Sequence, residues 1–305
     1  MRRRTNFTII ISGVIGCFFF YFLWLPRPPK PSLPLINELD NFNPPARLAE
    51  TQNSFYSQEE FLSAVKKAET TGRRSDIYGI IVPHHLVGAD IIAELVKMAA
   101  GRPINTVIVI GPNHNNIGRE PLATALMSWQ TPEGNVMPDI NLTKLFLTDH
   151  QLQPNPSALA KEHSVGVMMP FIKHYWPQAQ VLPIVLSSYA NKVEAEKLSD
   201  WLKSHLNKDV LVIFSLDFSH YLTKEEADLK DEETINLIDN FFIDKIYELN
   251  NDYVDSPAGL ASALLLAQKI RLKISVVRHS NSFNYVFPKP AATTSYFGVT
   301  LTREQ

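Results

Sequence analysis

The chain has almost no cysteine: Cys17 is the only one, and it lies in an apolar stretch near the N-terminus. From residue 18 onward there is no thiol, which excludes disulfides, thiolate metal ligands and a cysteine nucleophile from that part. Absence of thiols suits an oxidising setting without requiring one. Charge of neither sign predominates, with 29 Lys and Arg against 31 Asp and Glu. Beyond the first four residues there is no sustained basic block, and the formal net charge is −2. Nucleic acid therefore has no electrostatic footprint here and is not expected as a partner. Glycine is sparse, 12 residues against 21 prolines, so the loops read as stiff rather than slack. What is plentiful is the ordinary material of a folded core: hydrophobic residues make up 45% and charged residues 20%, a globular rather than a disordered balance.

Met1-Arg2-Arg3-Arg4 precedes an uncharged run from Phe7 to Leu25. At about 1.5 Å per residue the run reaches roughly 28 Å, enough to cross a hydrocarbon core. With arginines on its N-terminal side, the positive-inside rule predicts a single-pass membrane anchor, its N-terminus cytoplasmic and the remainder extracytoplasmic. A cleaved signal peptide fits less well, because the run is long and no small-x-small site follows it. Val14-Ile15-Gly16-Cys17 resembles a lipoprotein box, but Phe18 to Leu25 continue apolar where a lipoprotein turns polar. Residues 26–56 are broken by Pro26, Pro28, Pro29, Pro31, Pro34, Pro44 and Pro45 and read as an extended tether. The expected organisation is a transmembrane segment over 1–25, a tether over 26–56 and one α/β domain over 57–305.

Within that domain, Ser57 to Glu60 is an S-x-x-E capping box opening a helix to about Thr70. Short apolar runs at 77–82, 106–110, 181–186, 210–215, 273–278 and 294–301 read as buried strands. Helical stretches at about 87–100, 141–149, 162–175, 193–206, 224–250 and 258–270 separate them. Continuous apolar strands alternating with helices predict one three-layer α/β/α domain with a mainly parallel sheet, preceded by one N-terminal transmembrane helix.

Three of these strands end alike: in Pro83-His84-His85, in Gly111-Pro112-Asn113-His114, and in Leu216-Asp217-Phe218-Ser219-His220. Ligands of an open parallel sheet bind outside the carboxyl ends of the strands, so His84, His114 and His220 are expected to converge there. His84 is preferred over its neighbour because it directly follows Pro83. Neutral imidazoles beside a carboxylate suit a divalent metal: zinc, iron or copper. Asp217 is placed to be a ligand, a partner orienting an imidazole, or a general base. Glu162-His163-Ser164 forms a further cluster at a helix start, where Glu162 and Ser164 read equally well as caps. Trp129 to Gly134 reads as a turn in which Trp129 walls a pocket, and His150, His174, His205 and His279 read as structural.

In this order the motifs resemble the Memo family, also known as the AmmeMemoRadiSam system protein B group: VPHH (82–85), GPNH (111–114), W-x-TP-x-G (129–134), EHS followed by PFI (162–172), DFSHY (217–221), NS (281–282) and SYFGV (295–299). The resemblance covers roughly residues 77–301. It implies a fold related to class III extradiol dioxygenases, whose site holds non-haem Fe(II). By resemblance His84, His114 and His220 match the family's site histidines, Asp217 its aspartate, and Glu162 and His163 its EHS motif. The chain departs from the pattern where the family carries a cysteine in a CGxxP context: here the segment reads Val254-Asp255-Ser256-Pro257. Asp255 or Ser256 then faces the pocket, and an inward Asp255 would complete a 2-His-1-carboxylate set. The ligand set so implied is His84, His114, His220 and Asp255, with His163, Asp217 and Glu162 as acid–base groups. His85-Leu86 replaces a family glycine, and Gly166 and Met168 replace polar residues after EHS.

Three functions compete on these grounds. One is a metal-dependent, dioxygenase-like oxidoreductase acting on an unknown small molecule. Another is a metal-assisted hydrolase working on an envelope ligand. The last is a non-catalytic binding module with a vestigial pocket.

Overall fold

A computed structural model describes residues 48–303. The large sheet is built from β2 (Ile77–Val82), β3 (Thr106–Pro112), β4 (Leu122–Ala123), β7 (Gln180–Leu186), β8 (Val210–Ser215), β10 (Leu272–Asn281) and β11 (Thr293–Arg303), in the spatial order β10-β11-β2-β8-β3-β7-β4. A further strand, β9 (Phe218–Leu222), pairs with β11, and a small separate sheet joins β1 (Gln52–Asn53), β5 (Trp129–Thr131) and β6 (Gly134–Val136). β1 lies within the stretch read as a tether.

The mainly parallel sheet expected from the sequence is corrected. Only the centre is parallel: β2 with β8, β8 with β3, and β3 with β7. The β10–β11 hairpin, the β11–β2 and β11–β9 pairings and the β7–β4 pairing are all antiparallel. The sheet is therefore mixed. The physical reason lies in β11, which is buried along nearly its whole length. An apolar run covered on both faces does not reveal strand direction.

Helices cover both faces, and the strands address them alternately. Ile80, Val107, Val109, Leu211 and Ile213 join one buried cluster with α1 (Gln58–Lys67), α2 (Ala89–Ala99) and residues 165–172. Ile81, Ile108, Ile110, Val212 and Phe214 join the other, with α3 (Ile140–Asp149), the helix of residues 192–205 and that of 257–270. Successive side chains of a strand point to opposite faces, so each central strand feeds two cores. Ser57 caps α1 by accepting from the Glu60 N–H, as the S-x-x-E pattern predicts. The long helical region expected over 224–250 is instead broken after Asp239, where Phe241 takes a positive φ of 53°. Trp129 is fully buried in the first core rather than walling a pocket.

The transmembrane helix expected over residues 7–25 lies outside the described residues, and among these no helix is long and apolar enough to cross a membrane. The longest, Lys224–Asp239, has 16 residues and is rich in charge; at 1.5 Å per residue it reaches about 24 Å, short of a hydrocarbon core near 30 Å. The expected membrane partner and the membrane-anchored, extracytoplasmic placement are corrected accordingly: no membrane-spanning element is part of the described fold.

Candidate metal centre

β2 and β3 are adjacent to β8 on its two sides and run parallel with it, so their carboxyl ends meet at one edge. His84 and His114 follow those ends. Their rings lie 5.0 Å apart, nearly perpendicular, and the third ring beside them is that of His163: 5.1 Å from His84 and stacked on His114 at 4.3 Å. Ligand nitrogens of His84, His114 and His163 all fall within 4.8 Å of one another.

His163 reaches the cluster because β3 lets its helix approach. A methyl group at Gly111 would lie 2.6 Å from Ser164 Oγ. Only glycine admits this contact, and it brings α4 (His163–Gly166) under the end of β3, where the Ser164 hydroxyl donates to the Pro112 carbonyl at 2.8 Å. Glu162, the N-cap of α4, accepts from Ser164 N–H. The same carboxylate accepts from the His114 main-chain N–H at 2.8 Å and faces His114 Nδ1 at 2.7 Å. Burial pushes the Glu162 carboxyl up, but the His114 hydrogen bond and charge, with the N–H donors, hold it down at about 2. With Nδ1–H donating to Glu162, His114 keeps its Nε2 lone pair free, as a carboxylate-oriented metal ligand requires.

His84 is oriented differently. Its Nδ1 faces the Ser215 carbonyl at 3.3 Å, while the Ser215 hydroxyl donates to Ser164 O. Nδ1–H therefore donates to Ser215, leaving an Nε2 lone pair that faces Asp255 Oδ2 at 3.3 Å and Asp217 Oδ2 at 3.5 Å. Burial, then the neighbouring His114 and His163, depress the His84 pKa well below its ordinary value. Burial also lowers His163. Burial raises Asp217, and raises Asp255 further with the Asp217 charge beside it. The two aspartates are tied twice: Asp217 N–H donates to the Asp255 side chain at Oδ2, and Asp255 N–H donates to the Asp217 main-chain carbonyl, both at 3.1 Å. Asp217 Oδ1 in turn accepts from His84 N–H at 3.0 Å. His84, Asp217 and Asp255 thus form a second group able to hold a metal ion, sharing His84 with the first. Lone pairs outnumber donors here, and such a set calls for a cation or a proton.

His220 joins neither group. It sits on β9, whose main chain is held by Asn251 and Tyr253 carbonyls, with Ser219 and Tyr221 at positive φ. Its Nδ1 is buried without a partner, and burial lowers its pKa while Asp217 and His114 bear on it. The sequence-predicted residues His84, His114, His163, Glu162, Asp217 and Asp255 are therefore brought together, and His220 stands beside them. Two contributors were not among the expected site residues, although Tyr296 lies in the SYFGV segment. Ser215 orients His84, and Tyr296, fully buried on β11, meets His85 Nδ1 at 2.5 Å.

Comparison with known proteins identifies the family. Relatives include MEMO1 family proteins of Metallosphaera sedula, 28% identical over 70% of this chain and 79% of theirs, and of Thermoplasma volcanium, 29% identical over 67% and 78%. That of Saccharolobus solfataricus is 27% identical over 74% and 83%. Among solved structures, an uncharacterized protein of Escherichia coli K12 aligns at a TM-score of 0.48 with 8% identity, over 74% of this chain and 99% of that one, too slight a likeness to bear on function. The family model described as "Memo-like protein" matches residues 50–299, nearly all of the described chain, and on that match the chain belongs to the Memo family.

Proposed function

We propose that the chain holds one divalent transition metal through His84, His114 and His163 and works as a dioxygenase-like oxidoreductase on a small molecule. The observation that carries this reading is the Glu162–His114 pair, in which a buried carboxylate fixes one ring nitrogen and frees the other. The donor set fits the metal by chemistry. It offers nitrogen and carboxylate oxygen without any thiolate, which suits iron, copper or zinc. A bound iron or copper ion would supply Lewis acidity and a one-electron couple. The protein's own residues do the rest. His84, kept neutral by burial, presents a lone pair at neutral pH. Asp255 faces His84 Nε2 at 3.3 Å, its pKa raised by burial and by the Asp217 charge, and a bound cation would lower it again. His114 and His163 lie open on the solvent side, leaving access for a substrate.

Metal analysis of the natively purified protein tests this reading. About one equivalent is expected in the wild type, with most of it lost in His84→Ala and His114→Ala. A wild-type protein without metal would overturn it. Zinc as the native ion would move the reading to metal-assisted hydrolysis.

A further inference from the structure

The helix that carries His163, α4, is a single turn and has too few internal hydrogen bonds to hold its own place. Its position is set from outside. On one side Ser164 is seated against Gly111, and the Ser215 hydroxyl donates to the Ser164 carbonyl. Phe55 bears on another side. A methyl group built at Gly166 would stand 2.5 Å from Phe55 Cδ2 and 3.2 Å from Cε2, so the ring rests where any larger residue would begin its side chain. The turn is thus held between two contacts that only glycine allows, one with β3 and one with Phe55.

Phe55 arrives on a segment with a firm hold of its own. The N–H groups of Ala49, Gln52 and Ser54 donate to the Leu126, Ser128 and Gln130 carbonyls at 2.7, 2.9 and 3.1 Å. The Ser54 hydroxyl donates to the Gln130 carbonyl as well, and the Thr51 and Ser128 hydroxyls share a hydrogen bond. β1 therefore lies against β5 in fixed register, Gln52 opposite Trp129 and Asn53 opposite Gln130. The Phe55 ring, half-buried against the first core, meets the His163 ring edge to face with centroids 6.4 Å apart. His163 depends on such neighbours. Its side chain is 44% exposed, and Glu162 Oε1, 3.5 Å from its Nδ1, is already engaged by His114. No carboxylate aims this ring as Glu162 aims that of His114, so packing against His114, His84 and Phe55 must place it.

We propose that Phe55 is a positioning residue for His163: seated on Gly166, it fixes α4 and with it the third imidazole of the cluster. Residues 49–55 then belong to the site although they supply no ligand to it. The consequence for metal affinity rests on the function proposed above; the placing of His163 does not.

Two readouts on the full chain test the two ideas separately. In the metal-free protein, acylation by diethylpyrocarbonate is followed at each histidine by mass spectrometry. Phe55→Ala should speed the reaction of His163 about fivefold, as for one lost aromatic contact, while His205 and His279 keep their wild-type rates. Phe55→Tyr, which keeps the ring, should restore the wild-type pattern. Cobalt(II) alone should bind Phe55→Ala about tenfold more weakly, with an altered visible spectrum. Gly166→Ala pushes the ring off α4 and should reproduce both effects, but much less in the Phe55→Ala background, where the methyl group has room. An unchanged His163 rate in Phe55→Ala, an equal rise at all three histidines, or a Gly166→Ala effect independent of Phe55 overturns the proposal. A natively purified protein without metal that also takes up no cobalt would remove the metal reading. Selective release of His163 in that protein would leave this inference standing.

Discussion

Two buried histidine–carboxylate pairs stand side by side at the sheet edge, and they are built on opposite principles. In the Glu162–His114 pair the carboxylate receives two main-chain N–H groups and an imidazole N–H, and it stays ionised down to about pH 2. In the pair of His84 with Asp255, the imidazole turns its lone pair toward the carboxyl, one carboxyl oxygen has no partner, and burial drives the acid toward its protonated form. The first pair is complete as it stands and serves to aim a ligand. The second is incomplete until a cation or a proton enters. A satisfied carboxylate and an under-partnered one thus share one cluster.

The comparison is most directly broken at Glu162. Its carboxyl titrates at about 2 when folded against an ordinary 4.5, a depressed value. Its contribution is therefore complete above pH 4.5 and fades as pH falls toward 2, an effect of about 3 kcal/mol. Urea unfolding of the metal-free Glu162→Gln variant should show that deficit at pH 7 and little of it at pH 2. A gap that stays flat between those limits sinks the account. The same variant should bind metal about 10–100-fold more weakly, measured by chelator competition, because His114 loses its orienting partner. Equal affinity would show that the pair is only a helix cap.

Gly111→Ala should cost about 2 kcal/mol in thermal or urea unfolding, since the added methyl meets Ser164 at the closest point between β3 and α4. It should also weaken metal binding by displacing His163, and a variant with native affinity would show that His163 is not a ligand. The smallest expected effect has the opposite sign. Asp255 has a raised pKa, so its burden is absent below the unfolded value of 3.8 and grows as pH rises above it. Metal-free Asp255→Asn should be more stable than the wild type by about 1 kcal/mol at pH 8 and equal to it below pH 3.8. A destabilised variant at pH 8 would show that the charge is already compensated.

Much of this site was legible in the sequence because strand ends are chemically marked. Val82-Pro83-His84 and Gly111-Pro112-Asn113-His114 each close a β-branched run, and both histidines stand where parallel strands put them. His220 follows β8 in sequence just as faithfully, but the chain turns after Ser215 and enters β9, whose partner is β11. Nothing local in Phe218-Ser219-His220-Tyr221 announces a strand with two positive φ values. His163 reads from sequence as one member of a helix start; its place among the metal ligands depends on a contact between Gly111 and Ser164, 53 residues apart, that no periodicity encodes. Strand direction was hidden for the same kind of reason, since burial on both faces erases the alternation that would separate β11 from a parallel strand.

The nitrogen donors and the carboxylates that face them come from different stretches of the chain. His84, His114 and His163 precede the exposed turn at Ser188–Tyr189, whereas Asp217 and Asp255 follow it. A nick in that turn would divide the molecule into a half supplying imidazoles and a half supplying the aspartates around His84. Reassembly of two such fragments, followed by metal uptake, would report whether the two donor classes act as one centre or merely as neighbours.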